Sequence, residues 1–372
     1  MNVLGSNELL ENVIHKNLCT GCGACIDLCP YFKSYRGKTA MLFPCTLPQG
    51  KCFAYCPRLE VDLDYLSGKY FEKPYNNDPL GSYKSIVTSR AGEKFTGNNF
   101  QSGGTVSAIM YFALEKGYVD RAVLTGQKGI LPTPRIVMNP EGVLSCTLSR
   151  YTAAPTLSAV NRAIKEGLNR IGVVSTPCQT LSTAMMRTNP LEEKDFTDPI
   201  GLVVGIFCTW ALDFRAFEPF IASRIDINTI AKTDIPPPPA EVMEIYTKDG
   251  NKMQIPLEEI RNLVPDTCSY CMDMTSEFSD ISVGALEGDP GRNTLIIRTE
   301  RGKMIVEEAV REGYLVVDDM PEINLEHLKW AAGNKKKRAL LKAHKNGMVN
   351  NRVKDKISYI RLNNETLEEI IA

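Results

Sequence analysis

Four cysteines lie in the stretch Cys19-Thr20-Gly21-Cys22-Gly23-Ala24-Cys25-Ile26-Asp27-Leu28-Cys29-Pro30. Two residues lie between each of the first three cysteines and the next one of those three, three residues precede the fourth, and proline follows it. This spacing is typical of the ferredoxin run that binds a 4Fe-4S cluster, whose fourth cysteine binds the other cluster of a two-cluster module. A structural zinc site is the alternative, because two Cys-x-x-Cys pairs can hold zinc. Zinc sites do not require an even run that ends in Cys-Pro, so we predict iron–sulfur binding.

A second, irregular run completes the module and ends in Cys56-Pro57. The cross-over rule assigns Cys19, Cys22, Cys25 and Cys56 to one cluster, and Cys29, Cys45 and Cys52 to the other. The second set has only three thiolates. A regular second run has a further cysteine between its first and its last two, but residues 46–49 contain none. A three-iron cluster, a non-cysteine ligand or a re-routed loop over residues 46–51 would each account for this. We expect two clusters in the module.

The bulk properties indicate a globular protein of two or three domains. The chain has 372 residues, of which 43% are hydrophobic and 23% charged, and its net charge is −1. No global field therefore attracts nucleic acid. We find no basic region followed by an apolar stretch at the N-terminus, and no apolar run long enough to span a membrane. We therefore expect a cytoplasmic protein whose 12 cysteines are metal ligands rather than disulfides.

Beyond the module, short apolar runs such as residues 171–175 and 202–207 alternate with amphipathic segments such as residues 102–116 and 179–186. The predicted fold class is an α+β ferredoxin-like N-terminal module followed by an α/β domain with a mixed sheet. We assign residues 1–72 to the two-cluster ferredoxin module and residues 73–330 to the α/β domain, subdivided near residues 150–160. Residues 331–372 form a helical, basic C-terminal extension.

Four local predictions concern the α/β domain and the extension. Residues 135–138 and 143–146 read as a hairpin, and so do residues 241–246 and 252–255. Residues 236–239 are four prolines, which predict a stiff loop or linker. The basic run of Lys335, Lys336, Lys337 and Arg338 is expected to be a solvated helix face, with docking to an acidic partner as the functional alternative.

A second constellation of cysteines lies in the α/β domain. Cys268 and Cys271 form a close pair, while Cys178 and Cys208 follow predicted strands. Carboxyl ends of strands are where sites form in open α/β sheets, so the four thiols can converge on one cluster. Inert buried cysteines are the alternative reading. Cys146 has no such company and is expected in the core, or as the missing ligand of the irregular cluster.

Eight stretches of the chain, in this order, carry a family resemblance: residues 19–30, 101–104, 115–120, 175–179, 205–209, 268–273, 280–284 and 293–299. The chain resembles the beta subunits of coenzyme F420-reducing hydrogenase and of related formate dehydrogenases. The resemblance implies FAD and a 4Fe-4S cluster in the α/β domain, with Cys178, Cys208, Cys268 and Cys271 as ligands. With the ferredoxin module, the chain would then hold two or three 4Fe-4S clusters.

The resemblance also implies a set of flavin-binding residues. Ser102, Gly103 and Gly104 begin a helix, where free N–H groups and the helix dipole can hold a pyrophosphate, although such a run is more often a plain helix cap. Arg150 suits a flavin phosphate, with a surface ion pair as the alternative. The candidate cofactor-binding residues are Asn98, Asn99, Gln101, Ser102, Gly103, Gly104, Thr105, Arg150, Tyr151, Thr176, Pro177 and Gln179.

The function expected from the resemblance is a flavin–iron–sulfur oxidoreductase subunit that exchanges electrons with coenzyme F420 or a similar hydride acceptor. Its partners would be the other subunits of a hydrogenase, formate dehydrogenase or heterodisulfide-reductase-like complex. Two alternatives are a ferredoxin-dependent FAD reductase of another substrate and an electron relay without a substrate. No dedicated catalytic side chain is predicted, because the only histidines are His15, His327 and His344 and none adjoins a nucleophile motif.

Overall fold

The computed structural model of the protein describes residues 3–98, 100–237, 240–351 and 357–372. The strands are β1 (Phe32–Tyr35), β2 (Lys38–Met41), β3 (Val61–Asp62), β4 (Ser85–Ala91), β5 (Arg121–Lys128), β6 (Leu131–Val137), β7 (Ile171–Ser175), β8 (Ile200–Ile206), β9 (Ile230–Asp234), β10 (Val242–Thr247), β11 (Lys252–Pro256), β12 (Ile281–Leu286), β13 (Asp289–Ile297), β14 (Leu315–Asp319) and β15 (Ile360–Arg361).

The helices are α1 (Ser6–Leu9), α2 (Lys51–Ala54), α3 (Leu63–Phe71), α4 (Thr105–Glu115), α5 (Pro140–Leu144), α6 (Leu157–Lys165), α7 (Pro177–Arg187), α8 (Phe214–Ala222), α9 (Leu257–Arg261), α10 (Glu300–Arg311), α11 (Glu322–Lys345) and α12 (Asn364–Ile371). A π-helical turn, Leu10–Ile14, continues α1, and 3-10 turns lie at Glu93–Phe95, Ile227–Thr229 and Asp266–Tyr270. Within the described residues, no helix combines the length and the apolar character that crossing a bilayer would require.

An eight-stranded mixed sheet forms the centre of the molecule, with the order β14-β4-β13-β12-β8-β7-β5-β6. The four strands β12, β8, β7 and β5 run parallel to their neighbours in this group, and antiparallel strands extend the sheet on both sides. The strand β8 is buried on both faces, which explains its continuous apolar sequence. The predicted α/β domain with a mixed sheet is therefore confirmed.

The two faces of the sheet have separate cores, because successive side chains of a strand point to opposite sides. On β8, Leu202 and Val204 pack into the core beneath α4 and α10. Val203 packs into the other core, which α6 and α7 cover. That second core also contains Phe53 of the N-terminal region and Leu340 of α11. The N-terminal region thus shares the core on one face of the central sheet and contacts α6 and α7, which cover that face.

The N-terminal region contains the hairpin β1–β2 and the short strand β3, which pairs in parallel with β15 near the C-terminus. A separate three-stranded sheet, β11-β10-β9, packs with α8 and α9 around a third core. The ferredoxin-like character of residues 1–72 and the three domain boundaries stay predictions. The helix α11 is continuous across the predicted boundary at residue 331.

The local predictions had different outcomes. The hairpin of residues 241–255 is confirmed as β10–β11. The hairpin of residues 135–146 is wrong, because β6 pairs with the preceding β5 and Asn139 caps the helix α5 by accepting from the Gly142 N–H at 2.9 Å. Of the four prolines at residues 236–239, Pro238 and Pro239 lie outside the described residues.

The prediction of a solvated face is wrong for two members of the basic run. Lys335 and Lys336 are 7% and 1% exposed. The Nζ of Lys336 forms an ion pair with Glu277 at 3.1 Å and donates to the Asp78 carbonyl at 2.7 Å. A run of four cations on a helix must place some of them inward, and a carboxylate or carbonyl oxygen partner compensates each buried charge here.

Candidate functional site

The first group of thiols contains Cys22, Cys25 and Cys56, together with Cys19. Burial raises the pKa of the Cys25 thiol well above its ordinary value, and the nearby Cys19, Cys22 and Cys56 thiols raise it further. The pKa of the Cys56 thiol is likewise raised by burial and by its neighbours Cys22 and Cys19. The structure therefore brings Cys56 to the first three cysteines of the run, as the cross-over rule expects.

The second group contains Cys52 with Cys29 and Cys45. Burial raises the pKa of the Cys52 thiol to about 11, and the neighbouring Cys29 and Cys45 thiols add to the rise. Cys146 does not join this group. It packs against the core beneath α4, whereas Cys29 and Cys52 pack against the opposite core. The interpretation of Cys146 as the missing ligand is therefore wrong, and the expectation of a core position is the better one.

The third group brings together four cysteines from three parts of the chain. Cys178 lies in the first turn of α7, Cys208 follows β8, and Cys268 and Cys271 lie in and directly after the turn Asp266–Tyr270. Burial raises the pKa of the Cys208 thiol, and Cys268, Cys178 and Cys271 raise it further. The predicted convergence of these thiols at the carboxyl end of the sheet is thus present in the structure.

The third group lies next to the first. After burial, the largest influence on the pKa of the Cys178 thiol, which is raised to about 12, comes from Cys22 of the first group. A backbone hydrogen bond from Leu157 to the Cys22 carbonyl at 3.1 Å fixes the start of α6 against the cysteine run. Two predicted cluster sites are therefore close neighbours in the interior of the protein.

A cluster and a single metal ion require different spacings of their thiolate ligands. Zinc holds sulfur at about 2.3 Å, so its four thiolates lie in contact with one another. Within the described residues, no three His, Cys, Asp or Glu side chains form a group that fits one metal ion. A cubane places four irons between its thiolates, which sets them further apart. Because buried thiols with raised pKa values stay protonated near neutral pH, binding of a cluster would release protons.

Two buried cations face these thiols. Arg58 is 3% exposed and donates from Nη2 to the Thr267 carbonyl at 2.7 Å. Lys335 donates from Nζ to the Cys208 carbonyl at 2.6 Å and to the Asp273 carbonyl at 2.8 Å. Positive charge beside buried thiolates stabilises the ionised form that binds metal. Neither residue was predicted, although Arg58 directly follows Cys56-Pro57 and Lys335 opens the basic run.

A polar network forms the centre of the predicted flavin region. The amide Nε2 of Gln101 donates to the Tyr151 hydroxyl at 3.0 Å and to Asp234 Oδ1 at 2.6 Å. The Oε1 of Gln101 accepts from the Ser149 N–H at 2.6 Å. Gln101 and Tyr151 are therefore brought together as expected. Asp234 is an addition that the sequence did not indicate, because it comes from β9 in a different sheet.

Arg150 has an unsatisfied donor. Its Nη1 and Nη2 donate to the carbonyls of Ser149 and Thr147 at 3.0 and 3.3 Å, but the buried Nε has no hydrogen-bond partner within the described residues. Burial lowers the pKa of this guanidinium. A buried N–H without a partner costs about 1–3 kcal/mol, so this donor is a candidate contact for an anionic group. The surface ion pair considered for Arg150 is absent among the described residues.

Residues 102–105 make several contacts within the protein, which a site dedicated to an anion would not need. The side chain of Asn293 accepts from the Thr105 N–H at 3.3 Å at the start of α4. Gly104 has φ +77, and a Cβ there would lie 2.4 Å from the Phe100 ring, so only glycine fits. Ser102 donates to the Arg292 carbonyl at 3.5 Å. Asn98 is exposed, and Asn99 lies outside the described residues.

Thr176, Pro177 and Gln179 begin α7 beside Cys178. The Gln179 side chain accepts from the Thr176 N–H at 3.0 Å and donates to the Ala154 carbonyl at 2.8 Å. The Thr176 hydroxyl lies 3.5 Å from the Cys178 sulfur. The Gln179 amide is thus engaged on both sides in a capping box, so these residues position the thiol. Their predicted contact with a flavin stays a prediction.

The segment 151–157 connects the three regions. Tyr151 belongs to the network at Gln101, and Ala154 contacts Gln179 at the start of α7. Further on, Pro155 packs against Gly23 of the cysteine run, where a Cβ would lie 2.5 Å from the Pro155 oxygen. One short length of chain therefore connects the flavin region, the third thiol group and the first thiol group.

Three protein-family models match this chain, and their matched residues include the segments described above. Residues 86–161 match the family described as coenzyme F420 hydrogenase/dehydrogenase, beta subunit N-term, and residues 168–323 match the C terminus of the same subunit. These two matches together cover more than half of the chain. Residues 12–31 match a 4Fe-4S binding domain.

Three relatives show how far the similarity extends. The chain is 28% identical to coenzyme F420 hydrogenase subunit beta of Methanothermobacter thermautotrophicus, over 66% of this chain and 87% of that one. It is 26% identical to one of the subunits of the F(420)H(2) dehydrogenase of Methanosarcina mazei, over 85% of this chain and 89% of that one. A chain of the F420-reducing [NiFe] hydrogenase complex from Methanosarcina barkeri superposes with a TM-score of 0.66 at 26% identity, covering 72% of this chain and 93% of that chain.

The close contact at Gly23 generates a stability prediction. Gly23→Ala adds a Cβ at φ +87 against Pro155, so we expect it to lower the free energy of unfolding by at least about 2 kcal/mol and to reduce the iron bound per chain. Urea unfolding and iron quantification measure the two effects.

Gly288→Ala is the matched control for this variant, since Gly288 has φ +80 and no atom within 4 Å of the added Cβ. It carries the backbone strain alone, about 1 kcal/mol. Equal losses of stability and of iron in the two variants would contradict the role assigned to the Gly23–Pro155 contact.

Proposed function

Because the chain belongs to the family of coenzyme F420 hydrogenase/dehydrogenase beta subunits, we propose that it is a flavin–iron–sulfur oxidoreductase subunit. Its proposed activity is to pass electrons between 4Fe-4S clusters and a two-electron carrier, coenzyme F420 or a similar hydride acceptor, through FAD. The observation that carries the proposal is the set of three thiol groups, two of which are adjacent at Cys22 and Cys178.

The residues present fit the clusters that this function requires. Cys19, Cys22, Cys25 and Cys56 would hold one cluster, and Cys178, Cys208, Cys268 and Cys271 another. Cys29, Cys45 and Cys52 would supply three ligands of a further cluster. The cations Arg58 and Lys335 offset the negative charge of the first and third groups.

FAD fits the donors of the flavin region. The unpaired Nε of Arg150 suits a phosphate or another electron-rich group, and Gln101 and Tyr151 hold the neighbouring polar network in place. When bound, FAD supplies the conversion between single electrons and hydride. The chain itself would bind the cofactor and orient it, with no acid–base side chain of its own assigned to the reaction.

The proposed partners are other subunits or proteins of a redox complex. The relatives of the chain include a hydrogenase subunit and a dehydrogenase subunit, which supports such partners. Four large hydrophobic residues between positions 35 and 47 are exposed, and we call them the apolar rim: Tyr35, Leu42, Phe43 and Leu47, at 65%, 54%, 62% and 66%. We propose that the rim contacts a partner protein that carries a one-electron centre, because three of its members lie within three positions of Cys45 in the chain.

The composition of the purified protein tests the proposal as a whole. After anaerobic purification we expect about 12 irons and one FAD per chain, if all three thiol groups hold cubane clusters. Assays with F420, NAD and reduced ferredoxin then identify the carrier. Turnover with F420 supports the proposal; ferredoxin-driven reduction of another acceptor favours the ferredoxin-dependent reductase, and flavin without any turnover favours the relay. A count near four irons without flavin contradicts the architecture.

The flavin region makes a second prediction. Arg150→Met removes a charged donor, so we expect the affinity for FAD to fall at least about tenfold, since such hydrogen bonds contribute about 1.5–3 kcal/mol. Fluorescence titration of the deflavinated full chain measures it. Arg338→Met, at an exposed position of α11, is the control and keeps the original affinity. An unchanged affinity in Arg150→Met would place the flavin phosphates elsewhere.

The apolar rim makes a third prediction. We expect the double variant Phe43→Ser/Leu47→Ser to raise the KM for a purified, reduced two-cluster ferredoxin at least about tenfold, because two apolar side chains lose their burial against the partner. The rate with reduced methyl viologen, a small donor that needs no docking, should stay unchanged.

The control for the rim is Ile323→Ser/Trp330→Ser, which removes two other exposed residues, 58% and 73% exposed, from α11. It should leave the KM for ferredoxin unchanged. An equal effect of both double variants would refute a docking role of the rim. A rim variant that instead converts a dimer to a monomer on a sizing column would assign the rim to a second copy of this chain.

A further inference from the structure

We propose that Arg58 is a positioning residue that places one fixed positive charge between two cluster sites and thereby raises the reduction potentials of both. The two sites are the first thiol group (Cys19, Cys22, Cys25 and Cys56) and the third (Cys178, Cys208, Cys268 and Cys271). The inference rests on the proposed function, since it requires clusters at these thiols.

On one side, the guanidinium is bound to the turn that carries the third group. Its Nη2 donates to the Thr267 carbonyl at 2.7 Å and its Nε to the Thr267 hydroxyl at 3.2 Å. The Nη1 lies 3.5 Å from the Tyr270 carbonyl. Thr267 and Tyr270 directly precede Cys268 and Cys271, so the charge is fixed to the backbone of two predicted ligands.

On the other side, Arg58 adjoins the first group. It follows Cys56 by two residues in the chain, so its backbone is tied to a predicted ligand of that group. The Thr267 hydroxyl, which accepts from Arg58, donates to the Leu18 carbonyl at 2.6 Å, next to Cys19. Arg58 and Thr267 therefore connect the two groups through consecutive hydrogen bonds.

No carboxylate of the described residues forms an ion pair with Arg58, although the ion pairs there include other arginines. Its remaining partner is Tyr359, whose hydroxyl accepts from Nη1 and whose ring centroid lies 4.6 Å from the guanidinium carbon. Burial raises the pKa of Tyr359, so this phenol stays neutral. A buried cation without an anion is costly, and thiolate-ligated clusters on both sides would supply the missing negative charge.

The influence of Arg58 extends to thiols of both groups. The guanidinium charge of Arg58 acts on the Cys22 and Cys56 thiols of the first group and on the Cys178 thiol of the third. Lys335 provides the comparison, because its charge acts on Cys208, Cys268 and Cys271, which all belong to the third group. A cation favours the reduced, more negative cluster, so Arg58 should act on two sites and Lys335 on one.

Redox titration of the anaerobically purified full chain, followed by EPR, tests the inference with three variants. In Arg58→Gln we expect the equilibrium constant for reduction of two clusters to fall about tenfold, a drop of about 59 mV for a one-electron couple. The third cluster, at Cys29, Cys45 and Cys52, should keep its potential and serve as the internal control. In Lys335→Met only one cluster should shift, and it should be one of the two that shift in Arg58→Gln.

Arg58→Lys separates charge from structure, because it keeps the charge and loses the planar, multidentate donor. We expect the reduction potentials of the first and third clusters to stay close to those of the wild type. If Arg58→Gln loses its clusters, Arg58→Lys becomes the deciding variant. Three results would each overturn the inference. The potentials could stay unchanged in an Arg58→Gln protein with all its clusters, or all three clusters could shift equally. The potentials of Arg58→Lys could also fall as far as those expected for Arg58→Gln. A wild-type chain without clusters would instead contradict the proposed function.

Discussion

The close approach of the N-terminal region to the segment 151–157 is the constraint on which the site depends. Gly23 leaves no room for a side chain against Pro155, and Leu157 donates to the Cys22 carbonyl. The same segment is held to α7 through Ala154 and to the flavin region through Tyr151. The distances between three chemically different regions are thus set by two backbone contacts, at Gly23 and Leu157, and by the side-chain hydrogen bonds of Gln179 and Gln101.

Much of the arrangement was predictable from the sequence, because cysteine spacing and apolar runs are local signals. The run at residues 19–30, the addition of Cys56, and the alternation of strands and helices each follow from neighbouring residues. The convergence of Cys178, Cys208, Cys268 and Cys271 followed from the position of two of them after strands of one sheet. Its confirmation as a spatial group reflects the parallel order of β7 and β8, which brings their carboxyl ends together.

The remaining features depend on contacts between distant parts of the chain. Lys335 and Lys336 lie in a basic run that indicates a solvated surface, and only the packing of α11 against the turn 266–270 and Glu277 shows that they point inward. Asp234 of β9 accepts a hydrogen bond from Gln101, and Asn293 of β13 accepts one from the Thr105 N–H at the start of α4. The hairpin expected at residues 135–146 is not formed, because β6 pairs with β5, which precedes it in the chain.

The parallel pairing of β3 with β15 has a consequence for biosynthesis. Residues 61–62 of the N-terminal region pair with residues 360–361, and Tyr359 covers the guanidinium of Arg58 from the same late segment. During translation the cysteine run leaves the ribosome long before residues 359–361 are made, so the contacts of these late residues form last. A cluster inserted at the cysteine run during translation would therefore be in place before Tyr359 covers the guanidinium of Arg58.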